Sequence, residues 1–383
     1  MPFQPNFKLG ILGAGQLGKM LAQAAADWHL EVHILDASDD FPAAPYATKF
    51  TRGDFKNFED VYNFGKNLEV VTIEIEHINV DALEKLAAEG VKVHPKPSAL
   101  RIIQDKGLQK QFFEKYQIVS APYQLFENKS EILKAVAEGK IQFPFVQKTR
   151  TAGYDGKGVA IIRCENDLQN LLLGASVVED LADIDKELSV IVAQNESGEC
   201  VAFDAVEMDF DPSANLVDLV ISPANVTAEI ARKAKEIAYH TAKSFDICGV
   251  LAVEMFLTRQ GEIWVNEVAP RPHNSGHQTI ENCFTSQYAQ HLRGILNLPL
   301  GSTHIIQPAR MLNLLGEKNY EGAPIYQGIE KCLALEGVYV HIYGKKTTKP
   351  DRKMGHVTII CDNPELLSQK ALFVKNNLKV ISK

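Results

Sequence analysis

The chain predicts a multidomain α/β and α+β protein, on three observations. From residue 8 to about 94, strand-like apolar runs alternate with helical patterns, the β-α-β order of an open, largely parallel sheet. From about 145 to 268, strand-like runs follow one another across short polar or glycine-containing turns, with one amphipathic helix, Ala228 to Phe245, among them. The length, 383 residues, exceeds what one compact core accommodates, so two or three domains are expected.

The elements follow in order. Lys8 to Leu12 reads as a buried strand, and Gly13-Ala14-Gly15-Gln16-Leu17-Gly18 turns into a helix running to about Trp28. Glu31 to Leu35 is a second strand ending at Asp36. Val70 to Ile75 is a strand, Val80 to Glu89 a helix, and Val91 to His94 a strand stopped by Pro95 and Pro97. Residues 98 to about 123 read as one helix with Lys106 and Lys110 on one face. Phe145 to Thr149, Val159 to Arg163, Val177 to Glu179, Glu187 to Ala193 and Cys200 to Val206 are strands. Val250 to Leu257 and Ile263 to Val268 form a hairpin across Thr258-Arg259-Gln260-Gly261. Ser286 to Leu296 is a helix capped by Thr285. Beyond about 305 the runs are short and strand-like, closing on a basic loop from Tyr343 to His356.

Bulk properties narrow the function. Forty basic against 48 acidic residues leave a net charge of −8, which argues against a general nucleic-acid or acidic-membrane binder. It does not exclude a small basic pocket for a phosphorylated metabolite. The 6 cysteines are scattered without a C-x-x-C, as suits a reducing cytoplasm better than a zinc site or a disulfide framework. No secretory signal pattern opens the chain, and no apolar run approaches the roughly 18 residues of a membrane span.

The hairpin is the most informative segment. It brings Glu254 and Glu267 together, and crowded half-buried carboxylates repel. Mg²⁺ resolves that conflict, held by one or two carboxylates plus substrate phosphates. Strand alternation sends Asn266 and Glu267 to opposite faces, so both reach one metal only if the strand twists or ends there, which Pro270 and Pro272 suggest. Arg271, His273, Asn274, Ser275 and His277 follow at once and supply anion-binding and hydrogen-bonding groups. The pattern is that of phosphoryl transfer with a second substrate alongside.

Four further segments bear on chemistry. Gly13-x-Gly15-x-x-Gly18 with Asp36 has the formal elements of a dinucleotide fingerprint, but reports only exposed amides at a helix start. The loop from residue 150 to 158, containing Gly153-Tyr154-Asp155-Gly156-Lys157-Gly158, lies between two strands and lacks the Walker pattern. It suits a mobile cover whose amides and Lys157 contact phosphates, with Lys148 beside it. Glu179, Asp180 and Leu181 follow an apolar run and suit an adenine edge, with Glu187 placed for ribose hydroxyls. The basic loop containing Lys345, Arg352 and Lys353 suits a phosphate sub-site.

Together these segments resemble the ATP-grasp ligases, and more narrowly the N5-carboxyaminoimidazole ribonucleotide synthase family. The resemblance rests on residues 11 to 20, on Thr72-Ile73-Glu74-Ile75-Glu76-His77, on residues 153 to 158, on Asn266 to His277 and on Arg352-Lys353-Met354-Gly355-His356, and covers nearly the whole chain. It implies an N-terminal Rossmann-like pre-ATP-grasp domain over 1–97, an ATP-grasp domain over 98–300 with a lid at about 123–185, and a small β-rich C-terminal domain over 301–383. It implies ATP-dependent carboxylation of 5-aminoimidazole ribonucleotide by bicarbonate through carboxyphosphate, in a cytoplasmic homodimer. Mg²⁺, a pair of ions for which Mn²⁺ can substitute, would lie on Glu254, Asn266 and Glu267. ATP would lie among Lys106, Lys148, residues 153 to 158, Val159, Glu179, Asp180, Leu181, Ala182 and Glu187, with Asn266 and Glu267. Arg271, His273, Asn274, Tyr154 and Asp155 would surround the reacting groups. Gln16, Leu17, Glu76, Asn274, Ser275, Lys345, Arg352 and Lys353 would hold the ribonucleotide.

The chain departs from the family pattern at Lys106, where Arg is common, at Ala152 for Gly, at Val159 for Gln, and at Met208-Asp209-Phe210. Two other readings stay open. A formate-dependent glycinamide ribonucleotide transformylase shares the hairpin and basic loop. An NAD-dependent oxidoreductase would use the first glycine motif, leaving 148 to 158 and 254 to 277 unexplained.

Overall fold

The computed structural model describes residues 7–151, 158–211 and 216–383. Five parallel strands form the first sheet, in the order Lys49–Arg52, Glu31–Asp36, Lys8–Leu12, Val70–Ile73 and Lys92–Val93. Leu9, Ile11, Val32 and Ile34 pack on one side with the helix Gln16–Ala26. Leu12, Leu35, Val71 and Ile73 pack on the other with the helices Phe58–Gly65 and Val80–Ala88. Burial on both faces explains why the central strands Lys8–Leu12 and Val70–Ile73 read as near-continuous apolar runs.

Several boundaries differ from expectation. Lys49–Arg52 was not legible as a strand, because KFTR is a short, largely charged sheet edge. Phe58–Gly65 starts where the Asn57 side chain accepts from the Asp60 amide, a cap followed by acidic residues. The first helix stops at Ala26, short of Trp28. The strand from Val70 stops at Ile73, which frees residues 74 to 77 to turn toward the site. The expected single helix over 98–123 is two, Pro97–Ile103 and Lys106–Lys115. Asp105 causes the break: its carboxylate accepts from the amides of Gly107 at 2.7 Å and Leu108 at 3.1 Å and starts a new helix.

A four-stranded antiparallel sheet follows, in the order Tyr123–Phe126, Ser176–Asp180, Phe145–Thr149, Val159–Ile162. The largest sheet has nine strands. Its path runs Ile263–Ala269, Gly249–Thr258, Ile184–Gln194, Val206–Asp211, Leu216–Ser222, Ala309–Leu315, Lys353–Ile360, Val338–Ile342, and Cys200–Ala202 pairs alongside Ile184–Gln194. Alternation divides its faces. Leu188, Val190, Val192, Leu251, Val253 and Met255 pack against Ala234, Ala238 and Ala242, small residues four apart that let the helix Ala228–Phe245 approach closely. Glu187, Ser189 and Glu254 consequently share the opposite face, because Ser189 pairs with Glu254.

The helix expected at Ser286 to Leu296 is Gln287–Ile295, and its cap is Ser286, not Thr285: the Ser286 hydroxyl accepts from the Ala289 amide. The basic segment is not wholly a loop, since Lys353 opens a strand. A helix, Pro364–Asn377, interrupts the strand-like tail. Its buried Leu367, Ala371 and Val374 lie one face apart from exposed Leu366, Leu372 and Phe373, which blurs the helical period in the sequence. No helix among the described residues is long and apolar enough to cross a membrane.

Helix Gln287–Ile295 lies directly on the large sheet. A Cβ at Gly294 would sit 2.6 Å from the Gln194 carbonyl oxygen and 2.6 Å from the Gly249 nitrogen, both backbone. Gly294→Ala is therefore expected to destabilise the protein by about 1–3 kcal/mol through overpacking, measured as a lower urea midpoint.

Candidate active site

The hairpin closes through Thr258 N–H to the Glu262 carbonyl at 2.9 Å, with Gly261 at φ +82°. Glu254 stands opposite Glu267, but Met255 stands opposite Val265. Asn266 is thus an extra residue, a β-bulge. The bulge lets Asn266 and Glu267 both leave the core while Val265 and Val268 stay buried. The expectation that Pro270 and Pro272 end the strand there is corrected: the strand continues to Ala269, and the bulge itself re-aims the side chains.

Cations meet these acids from neighbouring elements. Lys106, first residue of its helix, pairs with Glu267. Lys148 donates to Asn266 Oδ1 at 2.8 Å, and His273 Nε2 lies 3.1 Å from Glu254. Lys106 holds the Glu267 carboxyl down to about 2, with burial opposing and Lys148 and His273 assisting. Burial pulls the Lys106 ammonium down, but Glu267, Glu179 and Glu254 outweigh it and hold it above its ordinary value.

A second cluster lies behind the first. Glu179 is 5% exposed and bridges Lys110 at 3.0 Å and Lys148 at 2.8 Å. Burial would raise the Glu179 carboxyl, yet Lys148 and Lys110 hold it below its ordinary range. Burial leaves Lys110 below the usual lysine value. Removing either lysine would leave the buried carboxylate with a single cation. Glu187 shows the opposite balance. Burial first, then the charges of Glu254 and Glu267, push its carboxyl up to about 7, with Lys148 offsetting only part. This face therefore carries more carboxylate than its cations neutralise.

The donor set is hard oxygen: two carboxylates and a carboxamide, each already drawn to a cation or donor. That chemistry fits Mg²⁺. Among the described residues no group of three or more His, Cys, Asp or Glu side chains gathers to hold an ion, so the remaining ligands would come from phosphate oxygens.

The segment after the hairpin is tied down on every side. Arg271 reaches Glu76 at 2.7 Å and the Pro272 carbonyl at 3.0 Å. The Gln287 carboxamide accepts from the His273 amide at 2.8 Å and donates to its carbonyl at 2.7 Å. Asn274 and Asn313 exchange paired carboxamide hydrogen bonds at 2.9 and 3.0 Å. Ser275, expected at the second substrate, is 1% exposed. Its hydroxyl lies 2.9 Å from His273 Nδ1 and 2.8 Å from the Ser189 hydroxyl, and so orients His273.

The structure thus gathers Lys106, Lys148, Glu179, Glu187, Glu254, Asn266, Glu267 and His273, with Arg271 and Glu76 adjoining. Asp180 ends the strand Ser176–Asp180, Leu181 and Ala182 lie on its connection to Ile184–Gln194, and Val159 starts the strand after the glycine-rich loop. Gly153, Tyr154, Asp155, Gly156 and Lys157 lie outside the described residues, as does Ala152; Gly158 has φ +78°. In the basic segment Arg352 donates to the Thr347 carbonyl at 2.8 Å and hydroxyl at 2.7 Å, and Lys345 to the Lys353 carbonyl at 2.7 Å. Lys110, Gln287, Asn313 and Glu74 were not anticipated as site residues. Lys110 was signalled by its helical spacing from Lys106. Gln287 and Asn313 had no local signal, being 14 and 39 residues from their partners.

The first glycine motif is satisfied internally. Glu74 accepts from the amides of Gly15 at 2.5 Å and Gly18 at 2.7 Å, and Asp36 from Ala14 at 2.7 Å. The amides that would bind a pyrophosphate, and the acid that would bind a ribose, are already engaged, which removes the structural basis of the oxidoreductase reading.

Three family profiles match the chain: a ribonucleotide synthetase preATP-grasp domain over residues 7–104, an ATP-grasp domain over 111–288, and a phosphoribosylaminoimidazole carboxylase C-terminal domain over 309–370. The chain is 40% identical over 362 residues to the chloroplastic phosphoribosylaminoimidazole carboxylase of Vigna aconitifolia, covering 92% of this chain but only 64% of that longer protein. It resembles the crystal structure of N5-carboxyaminoimidazole ribonucleotide synthetase from Thermotoga maritima, with TM-score 0.91 and 44% identity, covering 98% of this chain and 100% of that one. It also resembles N5-carboxyaminoimidazole synthase from Aspergillus clavatus, solved with ADP and 5-aminoimidazole ribonucleotide, with TM-score 0.88 and 34% identity, covering 97% and 98%.

Glu187 generates a pH prediction. Its folded value of about 7 lies above its ordinary 4.5. The group costs nothing below that ordinary value, where both folded and unfolded chains hold the proton. Stability is lost as pH rises from there through the folded value. Glu187→Gln is expected to raise the Tm of the nucleotide-free protein by roughly 1–3 °C at alkaline pH, with little change at acid pH, in paired thermal scans.

Proposed function

Because the chain belongs to the N5-carboxyaminoimidazole ribonucleotide synthase family of ATP-grasp ligases, we propose that it carboxylates 5-aminoimidazole ribonucleotide with bicarbonate at the expense of ATP. The observation that carries this reading is the face shared by Glu187, Glu254 and Glu267, where carboxylates exceed their lysine partners beside an Arg271–His273–Asn274 segment. The proposal covers the ATP-dependent step, since the chain spans 64% of the length of its plant relative.

In this reading a bicarbonate oxygen attacks the γ-phosphorus of ATP, the bond to the β-phosphate oxygen breaks, and ADP leaves. The C–O bond of the carboxyphosphate so formed breaks as its carbon passes to the exocyclic amine, directly or as CO₂, and the departing phosphate takes up the proton that the amine loses. Glu254, Glu267 and Asn266 would hold Mg²⁺, which when bound supplies charge neutralisation to the phosphates. Lys106 and Lys148 take phosphate oxygens, Lys148 being aimed by Glu179. Glu187 receives the ribose hydroxyls of ATP, and the Asp180 to Ala182 backbone the adenine. Arg271, aimed by Glu76, balances the bicarbonate charge, while Ser275 and Gln287 set the His273 ring beside it. Arg352 and Lys353 take the ribonucleotide phosphate. The loop at 153 to 158 excludes water that would hydrolyse carboxyphosphate. A cytoplasmic homodimer belongs to the same proposal.

ADP release that requires bicarbonate and rises with the ribonucleotide is the expected assay result; release that requires formate instead would replace the reading with a transformylase. Glu267→Gln is expected to lower ADP formation by about 10²-fold or more while the circular-dichroism spectrum stays native. Arg352→Ala is expected to raise the ribonucleotide KM by roughly tenfold with the ATP KM unchanged, and a selective change in the ATP KM would misplace the basic segment.

A further inference from the structure

Two of the segments that carry the family resemblance, Asn266 to His277 and Arg352 to His356, each end on a histidine that the mechanism above does not use. In the folded chain the two rings meet. His277 and His356 are both 0% exposed, and they stack with centroids 4.5 Å apart and planes 30° apart. His356 pairs in register with His341 on the neighbouring strand, and alternation puts both side chains on one face of the sheet. Their rings stack at 4.3 Å and 9°. The result is a column of three imidazoles, His277–His356–His341.

The column is held at both ends and along its edge. His277 forms one end. At the other, His341 Nε2 lies 2.7 Å from a carboxylate oxygen of Glu281, which sits in the short helix Thr279–Asn282 just after His277. One stretch of chain therefore grips the strands Val338–Ile342 and Lys353–Ile360 from both ends of the column. The Tyr288 hydroxyl lies 3.1 Å from His277 Nδ1, and the Tyr343 hydroxyl 3.2 Å from His356 Nδ1, which fixes the rotation of each buried ring. Burial above all, with His273 and His341 adding at His277 and with His277 and His341 adding at His356, pulls both imidazoles well below their ordinary value, so the rings stack without mutual repulsion. The arrangement has a cost. His277 Nε2 and His356 Nε2 are buried without a hydrogen-bond partner among the described residues.

The elements so joined carry different parts of the site. His277 follows Arg271, His273 and Asn274, and His356 shares a strand with Lys353. We propose that His277, His356 and His341 are positioning residues: their stacked rings set the distance between the reacting segment and the basic strand, and so between the carbon being transferred and the amine that captures it. The inference rests on the ribonucleotide reading above. The three rings act through Arg271 to Asn274 on one side and through Lys353 on the other.

The test compares two full-length variants. His356→Ala breaks the column at its centre. His356→Phe combined with Tyr343→Phe keeps the rings and removes the hydroxyl that His356 held. His356→Ala is expected to raise the ribonucleotide KM about tenfold while the ATP KM stays within about twofold. The ring-retaining pair is expected to stay within about twofold of wild type for both. Val374→Ala, a truncation buried in the core of the C-terminal segment, controls for general loosening and is expected to lower the Tm without moving the ribonucleotide KM. An unchanged ribonucleotide KM in His356→Ala, an equal rise in Val374→Ala, or a rise that the ring-retaining pair shares overturns the proposal. If His356→Ala does not fold, His341→Ala at the less buried end replaces it; a rise of about threefold supports the proposal and a wild-type KM overturns it. Failure of the wild-type protein to use the ribonucleotide at all would sink the functional reading instead. Amide hydrogen exchange would then still report the coupling. The Gly276 and His277 amides, bonded to the His273 and Asn274 carbonyls, are expected to exchange faster in His356→Ala and at the wild-type rate in the ring-retaining pair, and unchanged exchange in His356→Ala would overturn it.

Discussion

The site depends on unequal charge on one face of a sheet. Period-two alternation places Glu187 and Glu254 on the same side of adjacent strands, and the bulge at Asn266 adds Glu267 to them. Lys106, Lys148 and His273 answer these acids, yet Glu187 stays poorly compensated. A fold that minimised its own energy would not gather such groups. The ion pairs and hydrogen bonds around these acids hold them beside one another.

Outside that face, the supporting interactions work by holding both ends of a group. Glu179 takes two lysines from two different elements, Gln287 takes both the amide and the carbonyl of His273, and Asn313 takes both ends of the Asn274 carboxamide. Paired contacts of this kind remove rotational freedom as well as adding attraction, which is how a side chain is kept in a reactive pose before its substrate arrives.

Much of this was legible in the sequence. The β-α-β alternation, the hairpin and the acid pair were readable because each rests on spacing within one or two elements. The break at Asp105 was missed because apolar residues continue on either side of it, although Asp is among the preferred N-cap residues. The helix Pro364–Asn377 was missed because its exposed leucines mask its period. The bulge was not legible because it is a property of two strands in register, and no run of residues in either strand announces it. Gln287, Asn313 and Glu74 act across long chain separations, so only their neighbours in space identify them.

The large sheet is continuous from the acid hairpin to the basic strand Lys353–Ile360, across the point where Leu216–Ser222 pairs with Ala309–Leu315. The tail of the chain is therefore not a detachable appendage. A chain ending near residue 300 would leave Leu216–Ser222, with Val217, Leu219, Val220 and Ile221, as an unpaired apolar edge, the template on which chains associate through their backbones. The distance between the acid hairpin and the strand Lys353–Ile360 is set by the same hydrogen-bonded seam, so loss of the last segment would present first as aggregation.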